Sequence, residues 1–207
     1  MSEIKEPFLK RPFDLIFSAL GLIVSFPLQI IISLAIYTED PGPVYFVQER
    51  VGKRGRLFRA IKFRTMKYCE NNKYLDIDLE EDPRVTKIGK ILRAIGLDEL
   101  PQLINILKGD MSFVGPRALP LGIEDGERSH YRSIKEIPGY YLRSQVFPGL
   151  TGLAQIYAPK DASRKDKFYY DNLYVRNMSF LSDLKLIFRS FWVTFKGKWE
   201  SREKKAL

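Results

Sequence analysis

Leu15-Ile16-Phe17-Ser18-Ala19-Leu20-Gly21-Leu22-Ile23-Val24-Ser25-Phe26-Pro27-Leu28-Gln29-Ile30-Ile31-Ile32-Ser33-Leu34-Ala35-Ile36-Tyr37 runs without a single charged side chain. As one helix it would extend about 34 Å, enough to match the hydrocarbon core of a bilayer. It is too long for the apolar core of a signal peptide, and no small-x-small cleavage site closes it. Pro27 removes one backbone hydrogen bond and crowds the carbonyl of Ile23, so a break or kink is expected near Ser25. The Ser25 hydroxyl could partner a freed backbone group at that depth.

The flanks of this segment bear on its topology. Lys5, Lys10 and Arg11 precede it, and Arg50, Lys53, Arg54, Arg56, Arg59, Lys62, Arg64 and Lys67 follow it. By the positive-inside bias both flanks belong on the cytoplasmic side. A straight span would carry one of them across, whereas a re-entrant helix that dips in and returns accommodates both; an ordinary kinked span is the alternative. Residues 1–40 are assigned to this membrane segment, 41–200 to a cytosolic domain, and 201–207 to a frayed polar tail.

With 207 residues, 45% of them hydrophobic, the chain can build one core beside its anchor but hardly two domains. Its formal charge of +9 favours phosphate-rich partners, whether nucleic acid, anionic lipid or a phosphorylated substrate. The lone Cys69 and the lone His130 exclude an internal disulfide and a Cys/His zinc site, and neither is expected to carry chemistry.

After the turn Asp40-Pro41-Gly42-Pro43, Val44 to Val47 and Leu57 to Phe63 read as the strands of a hairpin around Gly52-Lys53-Arg54-Gly55. Between Gln48 and Lys67 eight Lys/Arg face one acid, Glu49, so the hairpin can hold phosphates or lie on anionic headgroups. Its glycines lack P-loop spacing. The acidic stretch that follows contains Asp76-Ile77-Asp78, a D-x-D pattern that a metal-dependent glycosyltransferase could use, although a solvated connector reads as well. A calcium loop is excluded, because Glu81 and Lys87 stand where glycine and glutamate are needed.

Val85, Ile88, Ile91, Leu92 and Ile95 recur at helical spacing among Lys87, Lys90 and Arg93, and Gly96 ends that amphipathic helix. Leu97-Asp98-Glu99-Leu100-Pro101 then opens another, with Pro101 in its first turn. Read locally, Asp98 is a helix cap and Glu99 complements the helix dipole. Read chemically, two adjacent carboxylates near Arg93 and a basic hairpin suit metal-assisted phosphoryl transfer. One can attack phosphorus while the other binds metal or handles protons, and the cations neutralise phosphate oxygens. The two roles are compatible.

Five ordered blocks carry a resemblance: Lys10-Arg11-Pro12-Phe13-Asp14, Lys62-Phe63-Arg64-Thr65-Met66, Gly96 to Gln102, Lys108 to Arg117, and Pro148 to Gln155. Across residues 8 to about 195 the chain resembles the monotopic phosphoglycosyl transferases, also called bacterial sugar transferases. The resemblance implies a re-entrant helix broken at a Ser-Pro element, here Ser25 and Pro27, and transfer of a sugar-1-phosphate from a UDP-sugar to a polyprenol phosphate with release of UMP. It implies Asp98 as nucleophile, Glu99 as its partner, and Mg2+ held beside both. It further implies Lys62, Arg93 and Arg117 as phosphate ligands, with Thr151 and Gln155 in the nucleotide-sugar region. Localisation would be the cytoplasmic face of a bacterial inner membrane, with membrane lipids and no nucleic acid as partners. The chain departs from the family pattern in three places: Phe26 separates Ser25 from Pro27, Ala118 follows Arg117 where a second proline is common, and Ile156-Tyr157-Ala158-Pro159-Lys160 follows Gln155. The last departure keeps the sugar from being inherited by resemblance.

Near the C-terminus Leu184, Ile187, Phe188, Phe191, Trp192, Phe195 and Trp199 share one helical face, which reads as an in-plane interfacial helix or as core packing. The expectation is therefore an α+β monotopic protein with a Pro-broken re-entrant helix, a small hairpin-containing cytosolic domain and interfacial amphipathic helices. Its rivals are a noncatalytic module for anionic lipid or nucleic acid, and a glycosyltransferase that uses Asp76 and Asp78 and releases UDP.

Overall fold

The computed structural model describes residues 4–68, 82–120, 133–159 and 162–195. Cys69, Asp76, Asp78, His130, Trp199 and the tail from 201 to 207 lie outside them. The apolar run forms α1, Lys10–Glu39, a continuous helix of 30 residues with Pro27 inside it. The expected break is thus corrected to a proline held within helical backbone. Proline forfeits one hydrogen bond, and the intact turns on either side carry the helix through. Ser25 does not serve the backbone in the way expected, because its hydroxyl accepts from Gln29 Nε2 at 2.9 Å.

One stripe of α1, comprising Lys10, Asp14, Ser18, Gln29, Ile32 and Ile36, is buried against the rest of the chain. The remainder exposes Ile16, Phe17, Ile23, Val24, Phe26, Ile31 and Leu34, and Val24 is 79% open. The helix is long and apolar enough to cross a membrane. A contiguous apolar face of this size needs lipid or protein to cover it.

Both ends of α1 are tied to the folded domain. At the start, Lys10 Nζ donates to Asp183 Oδ2 at 2.7 Å, to the Val114 carbonyl at 2.8 Å and to Tyr174 Oη at 3.0 Å. Arg11 donates to the carbonyls of Ile106 and Leu107. At the far end, the Glu39 carboxylate accepts the backbone N–H groups of Lys87 and Ile88 at 2.7 and 2.9 Å, and Asp40 Oδ2 accepts from Arg64 Nη1 at 2.6 Å.

The hairpin follows as read: β1, Tyr45–Val51, pairs antiparallel with β2, Leu57–Phe63, from Tyr45 opposite Phe63 to Val51 opposite Leu57. Phe58, Ala60 and Phe63 of β2 are buried. Next comes α2, Lys87–Ala94, capped by Thr86, whose hydroxyl accepts from the Gly89 N–H at 2.9 Å. The chain continues through a 3-10 segment, Leu97–Gln102, into α3, Leu103–Lys108, which packs along α1. A short strand β3, Ser112–Val114, comes next, and β4, Leu119–Pro120, joins the free edge of β1. The helix α4, Tyr140–Arg143, precedes β5, Gly149–Thr151, which lies parallel to β3.

Three helices complete the chain: α5, Leu153–Tyr157; α6, Arg164–Asn177; and α7, Phe180–Phe195. Val114, Val146, Ile156, Tyr174, Val175, Leu186 and Val193 form a core between these helices and β3. Of the apolar face expected of α7, Phe188, Phe191 and Trp192 stay exposed, as does Leu181, while Ile187 packs against the core; Leu186 and Val193, outside that face, enter the core. The helix thus packs one side into the core and leaves an apolar strip uncovered on the other.

Gly89 is where α2 meets the end of the hairpin. A Cβ there would stand 2.1 Å from the Thr65 carbonyl oxygen, inside any permitted contact. Gly89→Ala is therefore expected to destabilise the protein by about 1–3 kcal/mol, as overpacking does. Thermal unfolding of the detergent-solubilised variant would show this as a lowered midpoint.

Candidate active site

Asp98 and Glu99 sit in the first turn of the 3-10 segment, just after Gly96 reverses the chain out of α2 with φ 69°. That left-handed conformation suits glycine. The helix cap is Gly96, and no side chain caps this turn, so Asp98 does not serve as the cap that a local reading favours. The pair packs against β2, and this contact brings Lys62 within reach.

Lys62 Nζ donates to Glu99 Oε1 at 2.5 Å, and Arg117 Nη2 donates to the same oxygen at 3.2 Å. The three residues come from β2, the 3-10 segment and the turn between β3 and β4. The Glu99 side chain is 11% exposed, that of Lys62 19% and that of Arg117 50%, so the site opens to solvent on the Arg117 side. Arg93 is the third cation, and its Nε donates to Thr65 Oγ1 at 2.9 Å. Its field reaches Asp98, as do those of Lys62 and Arg117.

Electrostatics divide the pair. Burial lifts the Asp98 carboxyl to about 6; Lys62 works against this, and the charge of Glu99 reinforces it. Burial acts on Glu99 in the same sense, but Lys62 and then Arg117 outweigh it and hold that carboxyl at about 2. Glu99 is thus a fixed anion. Asp98 takes up a proton far more readily, as expected where two carboxylates in different surroundings are driven apart.

The resemblance implies Lys62, Arg93 and Arg117 as phosphate ligands; the structure sets Lys62 and Arg117 on Glu99, and the field of Arg93 reaches Asp98. Thr151 and Gln155 lie behind, on β5 and α5, both buried. The Thr151 carbonyl accepts the Gly115 N–H at 2.9 Å, two residues before Arg117, and its hydroxyl has no hydrogen-bond partner among the described residues. Thr65 escaped notice as the support of Arg93, although it stands in a block already singled out. Arg143 gave no signal, since a lone arginine in a short helix has no spacing to read; its Nη2 donates to the Arg117 carbonyl at 2.6 Å.

Among the described residues no group of three or more His, Cys, Asp or Glu side chains could hold an ion. Two adjacent carboxylates do fit Mg2+, which commonly takes one or two protein carboxylates and draws its other ligands from water and phosphate.

Residues 5–197 match the family described as Bacterial sugar transferase. The chain belongs to this family. Among its relatives is a UDP-glucose:undecaprenyl-phosphate glucose-1-phosphate transferase of Escherichia coli K12, 40% identical over 195 residues, an alignment that covers 92% of this chain and 41% of that protein. A UDP-N-acetylgalactosamine-undecaprenyl-phosphate N-acetylgalactosaminephosphotransferase of Aeromonas hydrophila is 36% identical, covering 92% of this chain and 44% of that protein. The exopolysaccharide production protein ExoY of Sinorhizobium fredii is 38% identical, covering 87% and 83%. This family member therefore spans about two-fifths of the length of its larger relatives and most of a shorter one.

The raised Asp98 carboxyl predicts a stability effect whose sign is fixed. A carboxyl with a folded-state pKa near 6, above the ordinary value of 3.8, loses stability as pH rises between those values. Asp98→Asn is therefore expected to melt at or above the wild-type temperature at pH 7.5 without metal, with the difference shrinking as pH falls to 4. Melting curves in EDTA across that range measure it.

Proposed function

We propose that this protein transfers a sugar-1-phosphate from a UDP-sugar to a polyprenol phosphate, releasing UMP and opening a bacterial glycoconjugate or exopolysaccharide pathway. The observation that carries the reading is the Asp98–Glu99 pair, Glu99 buried and Asp98 half-buried, split into a fixed anion and a raised carboxyl and ringed by Lys62, Arg93 and Arg117. Its membership of the family and the names of its relatives point the same way.

In this reading an Asp98 carboxylate oxygen attacks the β-phosphorus of the UDP-sugar. The bond from that phosphorus to the bridging oxygen breaks, and UMP departs with the oxygen, leaving a phosphosugar joined to Asp98 as an acyl phosphate. A phosphate oxygen of the polyprenol phosphate then attacks the same phosphorus, and the acyl–phosphate bond breaks to restore the carboxylate. Arg117, Lys62 and Arg93 bind the diphosphate oxygens and stabilise charge that would otherwise repel the attacking anion. Glu99 holds Lys62 and Arg117 in place until the substrate competes for them. Mg2+, held by Asp98 and Glu99, would supply further charge neutralisation at the diphosphate. Thr151 and Gln155 are assigned to the nucleotide-sugar region.

The polyprenol acceptor is confined to the bilayer, so the site must lie at its surface. The two tethered ends of α1, both flanked by basic residues, support a re-entrant helix that returns to the cytoplasmic face of the inner membrane. The exposed Phe188, Phe191 and Trp192 support an interfacial placement for α7. Cysteines placed at residues 8 and 45 are expected to label from the same side in intact cells; labelling from opposite sides would exclude re-entry.

The reaction is tested by incubating the purified protein with undecaprenyl phosphate, Mg2+ and a panel of UDP-sugars. UMP and a polyprenyl-diphosphate-sugar are expected, and release of UDP would overturn the reading. Asp98→Asn is expected to abolish turnover while leaving the protein folded. For wild type, kcat/KM should fall about tenfold per pH unit below about 6, as Asp98 takes up its proton.

A further inference from the structure

Arg143, the last residue of α4, is buried, and so is Asp171 on α6. The guanidinium meets three groups. Its Nε donates to Asp171 Oδ2 at 2.8 Å, its Cζ lies 4.5 Å from the centre of the Phe168 ring, and its Nη2 donates to the Arg117 carbonyl at 2.6 Å.

Stability does not explain an ion pair at this depth. Desolvating both charges costs about as much as their attraction returns, and apolar residues of similar volume often do as well. Asp171 illustrates the cost: burial raises its carboxyl above the ordinary range against the pull of Arg143, and its Oδ1 has no hydrogen-bond partner among the described residues. The third contact supplies the explanation, because it ends on the residue whose guanidinium meets Glu99.

The backbone around Arg117 is held on one side by β5, where it bridges to Gly149 and the Gly149 N–H donates to the Pro116 carbonyl at 3.0 Å. On the other side the Arg117 carbonyl receives Arg143. The Arg117 side chain is half exposed and lies at the open mouth of the site, so its direction depends on how firmly its own backbone is fixed. A guanidinium can donate to a carboxylate through Nε and to a carbonyl through Nη2 in one plane; a lysine ammonium at this position can keep the Asp171 pair but lacks that fork.

We propose that Arg143, anchored by Asp171, is the positioning residue that fixes the Arg117 turn and so sets how the Arg117 guanidinium meets the diphosphate of the nucleotide sugar. The inference rests on the reading of Arg117 as a phosphate ligand. It assigns a role to two buried charges on α4 and α6 that never touch substrate.

UDP in the presence of Mg2+ is a suitable probe, since it carries the diphosphate and needs no turnover. Its affinity is measured for the full chain in detergent as a double-mutant cycle between positions 143 and 117. Arg143→Lys is expected to weaken UDP binding about tenfold with a melting temperature close to wild type, and to raise the KM for the UDP-sugar more than it lowers kcat. In an Arg117→Ala background the same substitution should cost less than about twofold, because the group it positions is gone. An equal loss in both backgrounds, or unchanged affinity in Arg143→Lys alone, would overturn the proposal. If Arg117→Ala itself leaves UDP affinity unchanged, the phosphate-ligand reading falls and takes the proposal with it. Should Arg143→Lys fail to fold, Asp171→Asn, which keeps an oxygen for Nε while withdrawing the charge, carries the same cycle with the same expected pattern.

Discussion

Two adjacent carboxylates cannot be buried unless cations come to them, and much of the domain is arranged around that requirement. Glu99 remains an anion because Lys62 reaches it from β2 and Arg117 from the turn after β3. Neither cation is near it in sequence. The hairpin must therefore pack on the 3-10 segment, and the β3–β5 layer must present its turn to the same spot. Asp98 inherits its character from this arrangement: its neighbour has the cations, so burial prevails and its carboxyl sits near 6.

The membrane helix is coupled to the same centre. Glu39 caps α2 from outside with its carboxylate on the Lys87 and Ile88 N–H groups, and Thr86 caps it from within. At its other end α2 stops at Gly96, whose backbone turns the chain so that Asp98 and Glu99 follow at once. The carboxylate pair is thus a single short helix away from the end of the long apolar one. The opposite end of α1 is held by Lys10 in a buried cluster with Asp183 and Tyr174, which joins it to α6 and α7. In the proposed reaction a lipid-borne acceptor and a water-borne donor meet at one site, and a domain fastened at both ends of its long apolar helix would hold that site beside it.

Much of this was legible in the residues. The apolar run, the hairpin around Gly52 to Gly55 and the amphipathic helix before Gly96 all depend on local pattern: hydrophobic periodicity, turn residues and chain direction act over a few positions. Asp98–Glu99 stands out through the family resemblance, since local pattern favours a helix cap there. Local pattern misled at Asp98, which was expected to cap, yet Gly96 begins the turn. At Pro27 the expected break is absent, since α1 is helical on both sides of the proline. On α7 the aromatic face was legible in Phe188, Phe191 and Trp192, whereas the core side, Leu186 and Val193, was not.

By itself, then, the sequence determined most of the elements and the long apolar helix, because each is written in residue types a few positions apart, and the ordered motif blocks pointed to Asp98 and Glu99. The family resemblance implied Asp98 as the nucleophile, but only the tertiary structure decided which carboxylate the cations hold as an anion and which burial lifts. That division depends on whose oxygen Lys62 and Arg117 reach, across separations of 37 and 18 residues that no local pattern encodes. The same is true of Arg143 and Asp171, whose relation to Arg117 exists only once α4, α6 and the β3–β4 turn have packed together.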